Sequence, residues 1–148
     1  MSATEIVRES DFTPEQMFAL VADVPSYPEF VPYCVGARVQ ETRMLDNGHQ
    51  IMLADLRVAY KMIRETYTSE VDLDPQNLTI MVAQQDGPFR RLENRWQFEP
   101  REGGCFIKFY LDFDFRAPLL RRVIQPLMGR AVDKFVAAFE ARAHQLYG

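Results

Sequence analysis

The fold is decided by the stretch Gly104–Phe115, which reads GCFIKFYLDFDF. Its apolar residues recur at every second position from Cys105 to Phe115, and Asp112 and Asp114 lie between them. Alternation with a period of two is typical of a strand that buries one face and exposes the other to water. The sequence therefore predicts a final strand over residues 104–115, with both aspartates on the solvent side.

Further apolar stretches precede this strand, and most of them are separated by turn signals rich in Asp, Asn, Gly and Pro. In the stretch just before it, Leu92, Trp96 and Phe98 share one face. With a short first strand over 4–9, the sequence predicts an antiparallel sheet of seven strands, six of which lie near 35–44, 49–58, 61–72, 77–84, 90–99 and 104–115.

Helix signals occur on both sides of these strands. Thr13 and Gln16 have the spacing of a capping box, with Pro14 between them, and predict a short helix that ends near Ala22. A second short helical turn is expected around Tyr27–Phe30. Residues 118–146 predict a long amphipathic helix, with a kink or break before Pro126. Its apolar stripe comprises Leu120, Ile124, Leu127, Ala131, Phe135, Ala138 and Phe139.

Together these elements predict one α+β domain over residues 1–148. Two short helices follow the first strand, and a curved seven-stranded antiparallel sheet wraps around the long C-terminal helix. A chain of 148 residues is long enough to bury a sizeable core.

Composition restricts the class of protein. The chain is 47% hydrophobic and 12% aromatic, with two cysteines, which argues against disorder and against a disulfide scaffold. It has no apolar run of membrane-spanning length, and its N-terminus lacks the pattern of an export signal. We therefore expect a cytoplasmic protein, peripheral at most to the inner face of a membrane.

The formal net charge of −4 is an average of two unlike regions. Residues 1–115 are acidic, whereas residues 116–148 carry six Lys and Arg side chains against two Asp and Glu. The acidic body disfavours DNA as a partner. The basic region has two possible explanations: it is a solvated face of the helix, or it binds a local acidic partner.

The sequence contains no motif for a nucleophile with its base, a metal site or a nucleotide cofactor. His49 and His144 are predicted to lie at or near the surface, and Cys105 in the core. Glu65 shares the inward face of a predicted strand with Tyr67, so it is expected either to form a structural ion pair or to face a ligand. We expect no catalytic residues, no metal and no cofactor.

The eighteen aromatic residues and seven methionines admit two interpretations. They fill an ordinary packed core, or they line a cavity that the sheet and the helix leave between them. Composition does not choose between the two.

Five stretches, in this order along the chain, resemble the START-like coenzyme Q-binding proteins, a family also described as polyketide or oligoketide cyclase-like. The first is SYPEFVPYC at Ser26–Cys34. The others are Ile63–Ser69, Asp86–Leu92, Trp96–Phe98 and Leu111–Phe115. The resemblance covers nearly the whole chain and implies a helix-grip fold, as in START and Bet v 1 proteins, with an apolar tunnel between the sheet and the terminal helix.

The resemblance also implies a function and a set of site residues. Members of the family bind coenzyme Q, so the expected function is non-enzymatic binding or carriage of an isoprenoid ligand, most readily ubiquinone, in support of respiration. The corner, the inward strand faces and the helix stripe give the expected ligand-binding residues: Phe30, Val31, Pro32, Tyr67, Trp96, Phe98, Phe109, Phe113, Ile124, Leu127, Met128 and Phe135.

Two alternatives stay open at this point. A bacterial relative in the family is a ribosome association toxin, which makes the large ribosomal subunit a second expected partner for the basic region. A polyketide cyclase-type enzyme is a weaker alternative, for which Glu65 is the only candidate acid–base residue. A transient contact with a membrane surface is compatible with the carrier function.

Overall fold

The computed structural model describes residues 3–128 and 130–148 in full, and residue 129 only as part of a helix. The predicted order of elements is confirmed. The strands are β1 (Ala3–Ser10), β2 (Cys34–Met44), β3 (Gln50–Tyr60), β4 (Ile63–Asp74), β5 (Thr79–Asp86), β6 (Phe89–Arg101) and β7 (Gly104–Phe115). The helices are α1 (Pro14–Ala22), the 3₁₀ helix Val24–Glu29 and α2 (Pro118–Tyr147).

The seven strands form one antiparallel sheet in the order β1-β7-β6-β5-β4-β3-β2. Consecutive hairpins join β2 to β7, and β1 pairs with β7, where Ile6 lies opposite Phe109. The register shifts at four places, among them the pairing of β6 with β7 between Phe89 and Arg91. Irregularities of this kind bend strands and increase their twist, which helps the sheet to curve around α2.

The pairing of β1 with β7 depends on the absence of a side chain at one position. A Cβ atom at Gly104 would overlap the backbone carbonyl of Ser10. Because glycine lets two backbones approach this closely, the end of β1 lies directly against the start of β7. The turn after Ser10 then leads into α1.

The capping box predicted for α1 is present. The Gln16 backbone N–H donates to Thr13 Oγ1 over 3.1 Å, and the Thr13 backbone N–H donates to Gln16 Oε1 over 2.9 Å. Both bonds satisfy donors that a helix end otherwise leaves without partners. They fix the direction of α1, which buries Met17 and Leu20 in the core.

Helix α2 runs from Pro118 to Tyr147 without the predicted break before Pro126. Pro126 and Arg122, whose carbonyl loses its helical donor, both lie on the exposed side of the helix. Water can therefore take the place of the missing N–H, and the helix tolerates the proline.

The buried stripe of α2 differs in part from the predicted one. Val132, Val136 and Ala143 are buried, although the sequence analysis did not assign them to the stripe. Leu120 and Phe139 are buried as predicted. The second half of α2 thus packs tightly on the sheet. In the first half, Leu120 is buried, but the other inward-facing side chains, such as Ile124 and Leu127, are only half-buried.

The core consists of two apolar clusters. The larger one lies under the second half of α2, where Trp96 contacts Phe109 and Phe139 at ring-centroid distances of 4.7 and 5.0 Å. The smaller one lies under the start of α2, where Leu120 packs with Phe89 and Phe115.

The prediction that Asp114 faces solvent is wrong. Asp114 is buried, as are Phe113 and Phe115 on either side of it, because the side chains of Arg90 and Arg121 lie against its carboxylate. The Asp114 carboxylate forms ion pairs with Arg90 of β6 and with Arg121 of α2. This cluster fastens the start of α2 to the sheet.

Candidate functional site

An apolar cavity of about 230 Å³ lies between the concave face of the sheet and the first half of α2. The sheet contributes Leu56 and Val58 of β3, Val82 of β5 and Phe109 and Leu111 of β7. The helix contributes Leu120, Ile124, Leu127, Met128, Ala131, Val132 and Phe135. The two interpretations of the aromatic residues therefore both apply, since part of the apolar surface packs and part encloses this space.

Eight of the twelve residues that the sequence analysis selected lie on the cavity wall. They are Val31, Pro32, Tyr67, Phe109, Ile124, Leu127, Met128 and Phe135. The structure brings the Pro-rich corner, β4, β7 and α2 together around one space, as the expected tunnel requires.

The other four selected residues lie elsewhere. Trp96 and Phe98 are buried beneath the sheet-packed half of α2 and α1, where Phe98 contacts Phe18. Phe113 belongs to the smaller core cluster. Phe30 packs its ring on Phe139 at a centroid distance of 5.0 Å. The correct strand face is thus not enough to place a residue at the cavity, because position along the strand decides whether α2 covers it.

Sequence reasoning missed several wall residues. Asn94 lies on the wall, and its Nδ2 donates to the Tyr110 carbonyl over 2.9 Å. It falls between Leu92 and Trp96 on the inward face of β6, so the alternation of that strand was the signal that could have identified it. Cys34 and Tyr60 also lie on the wall. Cys34 follows the Pro-rich corner as the first residue of β2, and Tyr60 is the last residue of β3.

Glu65 is the one Asp, Glu, His, Lys or Arg residue among the described wall residues. The expectation that it forms a structural ion pair is wrong, because no ion pair or hydrogen bond reaches it from the described part of the chain. It is half-buried on β4, opposite Val58 of β3, and faces the cavity. Of the two expected roles, the ligand-facing one stays a prediction.

Two tyrosines on the wall are half-buried in apolar surroundings. Burial, with Tyr67 and Cys34 nearby, raises the pKa of Tyr27. Burial, with Cys34 nearby, likewise raises the pKa of Tyr67. Tyr27 donates its hydroxyl hydrogen to the Val21 carbonyl over 2.5 Å, which anchors the 3₁₀ helix to α1. The phenols are therefore neutral hydrogen-bonding groups at neutral pH.

His49 and Cys105 lie outside the cavity wall. His49 lies 2.8 Å from Asp72 and 3.2 Å from Asp74. Burial raises the pKa of the Cys105 thiol to about 11, which suppresses its nucleophilic form. In the described part of the chain, no group of three or more His, Cys, Asp or Glu side chains could hold a metal ion.

The rim of the cavity combines exposed apolar and basic side chains. On one side the rings of Tyr33 and Tyr60 lie 5.6 Å apart, and the Lys61 Nζ lies 5.4 Å from the centre of the Tyr60 ring. At the tip of the same hairpin, 93% of the Met62 side chain is exposed. The first turns of α2 add the exposed residues Leu119, Arg122 and Val123. We call these three residues, together with Tyr33, Tyr60, Lys61 and Met62, the rim.

The basic region of α2 is partly engaged within the fold. Arg121 pairs with Asp114, and Arg142 donates to Glu29 over 3.0 Å. Arg122, Arg130 and Lys134 are exposed along the same helix. No helix among the described residues is both long and apolar enough to cross a membrane.

Comparison with known families adds a relationship to this geometry. Residues 10–140 match the family model described as polyketide cyclase/dehydrase and lipid transport. The ribosome association toxin RatA of Vibrio cholerae is 35% identical over 138 residues, which cover 93% of this chain and 92% of that protein. The coenzyme Q-binding protein COQ10 homolog B, mitochondrial, of Xenopus laevis is 30% identical over 93% of this chain, which spans 56% of that protein. Neither name describes an enzyme.

Solved structures share the fold. An 18 kDa protein of Caulobacter crescentus is 35% identical, with a TM-score of 0.80 over 100% of this chain and 99% of that one. A START superfamily protein of Mycobacterium smegmatis has a TM-score of 0.79 at 20% identity, over 97% of this chain and 98% of that one. The expected START-like helix-grip fold is confirmed.

Proposed function

Because the chain belongs to the polyketide cyclase/dehydrase and lipid transport family, we propose that its cavity binds an elongated apolar ligand with a small polar head, most readily an isoprenoid quinone such as ubiquinone. The protein then acts as a non-enzymatic carrier or chaperone that supports respiratory electron transport. The observation that carries this proposal is the apolar cavity under the first half of α2, whose described wall holds a single Asp, Glu, His, Lys or Arg residue.

The energetics favour an apolar ligand of this kind. Each Å² of apolar surface that leaves water on binding contributes roughly 25 cal/mol to the binding free energy, before the costs of association are subtracted. The cavity of about 230 Å³ is smaller than the roughly 300–1,000 Å³ of sites that enclose a drug-sized ligand. It accommodates part of a long isoprenoid chain, with the polar head at the mouth beside the Pro-rich corner.

The rim supports a transient contact with a membrane surface. Met62 and Leu119 are apolar side chains exposed beside the mouth, and Lys61 and Arg122 place positive charge next to them. Such a combination favours the interface of an anionic membrane, where an apolar ligand enters or leaves. We place the carrier in the cytoplasm, peripheral to the inner face of a membrane.

A ribosome-directed function is the second candidate. It is favoured by the relatives named ribosome association toxin and by the exposed residues Arg122, Arg130 and Lys134, which present positive charge along α2. Phosphate groups of ribosomal RNA attract such a surface in a salt-dependent way. A cyclase-type activity has weaker support, since the described wall holds no other Asp, Glu, His, Lys or Arg residue to act with Glu65 as a second acid or base.

One preparation tests both candidates. The purified protein is extracted with organic solvent, the extract is analysed by mass spectrometry, and the same protein is sedimented with isolated large ribosomal subunits at increasing salt. The carrier function predicts a co-purified quinone or other isoprenoid lipid. An empty extract, together with salt-sensitive sedimentation on the large subunit, would reject the carrier function in favour of the ribosomal one.

A further inference from the structure

Two polar side chains on the cavity wall lack partners within the described structure. No hydrogen bond or ion pair from the described residues reaches the Glu65 carboxylate or the Tyr67 hydroxyl. The Tyr67 ring is fixed against Phe89 at a centroid distance of 5.4 Å, so its hydroxyl is held in place without being satisfied. Both residues are half-buried and open into the cavity, so a ligand that enters it displaces water from their polar atoms and has to replace those hydrogen bonds.

The strand register brings these two groups together at the mouth. Cys34 lies opposite Val58, and Val58 lies opposite Glu65, so Glu65 shares a row with the end of the Pro-rich corner. Tyr67 is two residues further along β4 on the same face, about 7 Å away at the usual rise of a strand. The two groups are therefore spaced to contact one small ring.

The chemistry of the pair restricts what that ring carries. An ionised carboxylate only accepts hydrogen bonds, whereas a phenol both donates and accepts. A ligand that covers Glu65 removes its water, and the charge becomes costly unless the ligand donates a hydrogen bond to it. The oxygens of a quinone only accept, but a hydroquinone or phenol offers an O–H group.

We propose that Glu65 and Tyr67 form the head-group site of the cavity, in which Glu65 selects a ring that carries a hydroxyl group, such as a hydroquinone, over the corresponding quinone. Tyr67 donates to an oxygen that both redox forms carry. This inference rests on the proposed function, because it concerns the head of the same apolar ligand.

The test compares a benzoquinone that carries two isoprene units with the hydroquinone made from it. Both are titrated by calorimetry, without oxygen, into the wild-type protein, Glu65→Gln, Tyr67→Phe and Glu70→Gln. The last variant changes an exposed carboxylate on the same strand and serves as the matched control. The amide in Glu65→Gln keeps the shape of the side chain but can donate to a quinone oxygen.

The wild-type protein is expected to prefer the hydroquinone by about ten-fold, the scale of one hydrogen bond to a charged group. Glu65→Gln should abolish or reverse that preference. Tyr67→Phe should lower the affinity for both redox forms by a similar factor, and Glu70→Gln should leave both affinities unchanged. Equal affinity of the wild-type protein for the two forms, or an unchanged preference in Glu65→Gln, would overturn the inference and leave the carrier function intact. Binding of neither form would overturn the carrier function itself, and this inference with it.

Discussion

Phe135 of α2 and Phe109 of β7 meet ring to ring, with centroids 5.7 Å apart, where the packed half of the helix gives way to the cavity. Both rings line the cavity, and both also contact the buried Trp96. Their contact separates a region of tight packing from a region of open space under one continuous helix. The position of a residue relative to this contact therefore decides whether a larger side chain fills a void or disrupts the core.

Ala131 is on the open side of this contact, and Ala131→Phe should fill the cavity. We expect affinity for an isoprenoid quinone to fall by about ten-fold or more. The free energy of unfolding should change by less than about 1 kcal/mol, because the new ring enters space that is already empty. Calorimetric titration and urea unfolding measure the two effects. Ala141→Phe, on the exposed face of α2, is the matched control. A large loss of stability in Ala131→Phe would show that the cavity is closed in solution.

Asp114 should make the stability of the fold sensitive to acid. Burial alone would raise its pKa, but the guanidinium groups of Arg121 and Arg90 outweigh burial and hold the pKa below its ordinary value. Stability from this cluster is therefore complete above the unfolded-state pKa of about 3.9 and is lost as the pH falls below it.

Urea midpoints measured as a function of pH check this prediction. Asp114→Asn should lower the midpoint at neutral pH and flatten its decline in acid. Asp112→Asn, which removes the carboxylate that pairs with Arg91 at the surface, should have the smaller effect. Identical acid profiles for the wild-type protein and Asp114→Asn would contradict the assignment.

Tyr27 and Tyr67 should resist alkaline titration in the native state. Burial raises the pKa of both phenols, so the native protein keeps their protons at about pH 10, where an unfolded chain releases them. The stability that they contribute is complete below that pH and is lost as the pH rises through it. Ultraviolet difference spectra should show no decrease in the native phenolate signal near pH 10 for Tyr27→Phe. A clear decrease in that signal would disprove the shielding of Tyr27.

The same variant should also be less stable at neutral pH. Tyr27→Phe removes the hydrogen bond to the Val21 carbonyl and leaves that acceptor without its donor. We expect a loss of about 1 kcal/mol in the free energy of unfolding, measured by urea denaturation.

The rim predicts charge-dependent binding to membranes. The double variant Lys61→Glu with Arg122→Glu should bind vesicles that contain phosphatidylglycerol about ten-fold or more weakly than the wild-type protein, because each basic residue near an anionic surface contributes about 1 kcal/mol. Co-sedimentation with vesicles measures the change. Arg43→Glu, at the far end of β2, should bind like the wild-type protein. Arg43→Glu makes half the change in net charge, so a loss in that variant of half the size or more would assign the effect to net charge instead of to the rim.

Much of the fold was predictable because it depends on local signals. The alternation in Gly104–Phe115, the capping box of Thr13 and Gln16, and the turn residues between strands each specify their own element. Only one hairpin had weak punctuation: Lys61, between β3 and β4, adopts a left-handed backbone with a φ of 55° although it is not a glycine. That turn was recognisable chiefly from the strands on either side of it.

What could not be predicted depends on contacts between elements that are distant in the sequence, and on the position of each residue along its strand. The burial of Asp114 follows from its ion pairs with Arg90 of β6 and Arg121 of α2, which the alternation of β7 does not reveal. Trp96 and Phe109 lie opposite each other on adjacent strands, yet only Phe109 reaches the cavity. A sequence pattern gives the face of a strand, but the point at which α2 leaves that face is a property of the whole fold.

Methyl NMR during a quinone titration shows whether the space under the first half of α2 binds an isoprenoid quinone. The methyl groups of Ile124, Leu127 and Met128, which line the cavity, should show saturable shifts, while those of the exposed residues Met44 and Leu146 stay unchanged. Unchanged signals from the three cavity residues at saturating quinone, or shifts confined to Met44 and Leu146, would contradict binding of the quinone in this space.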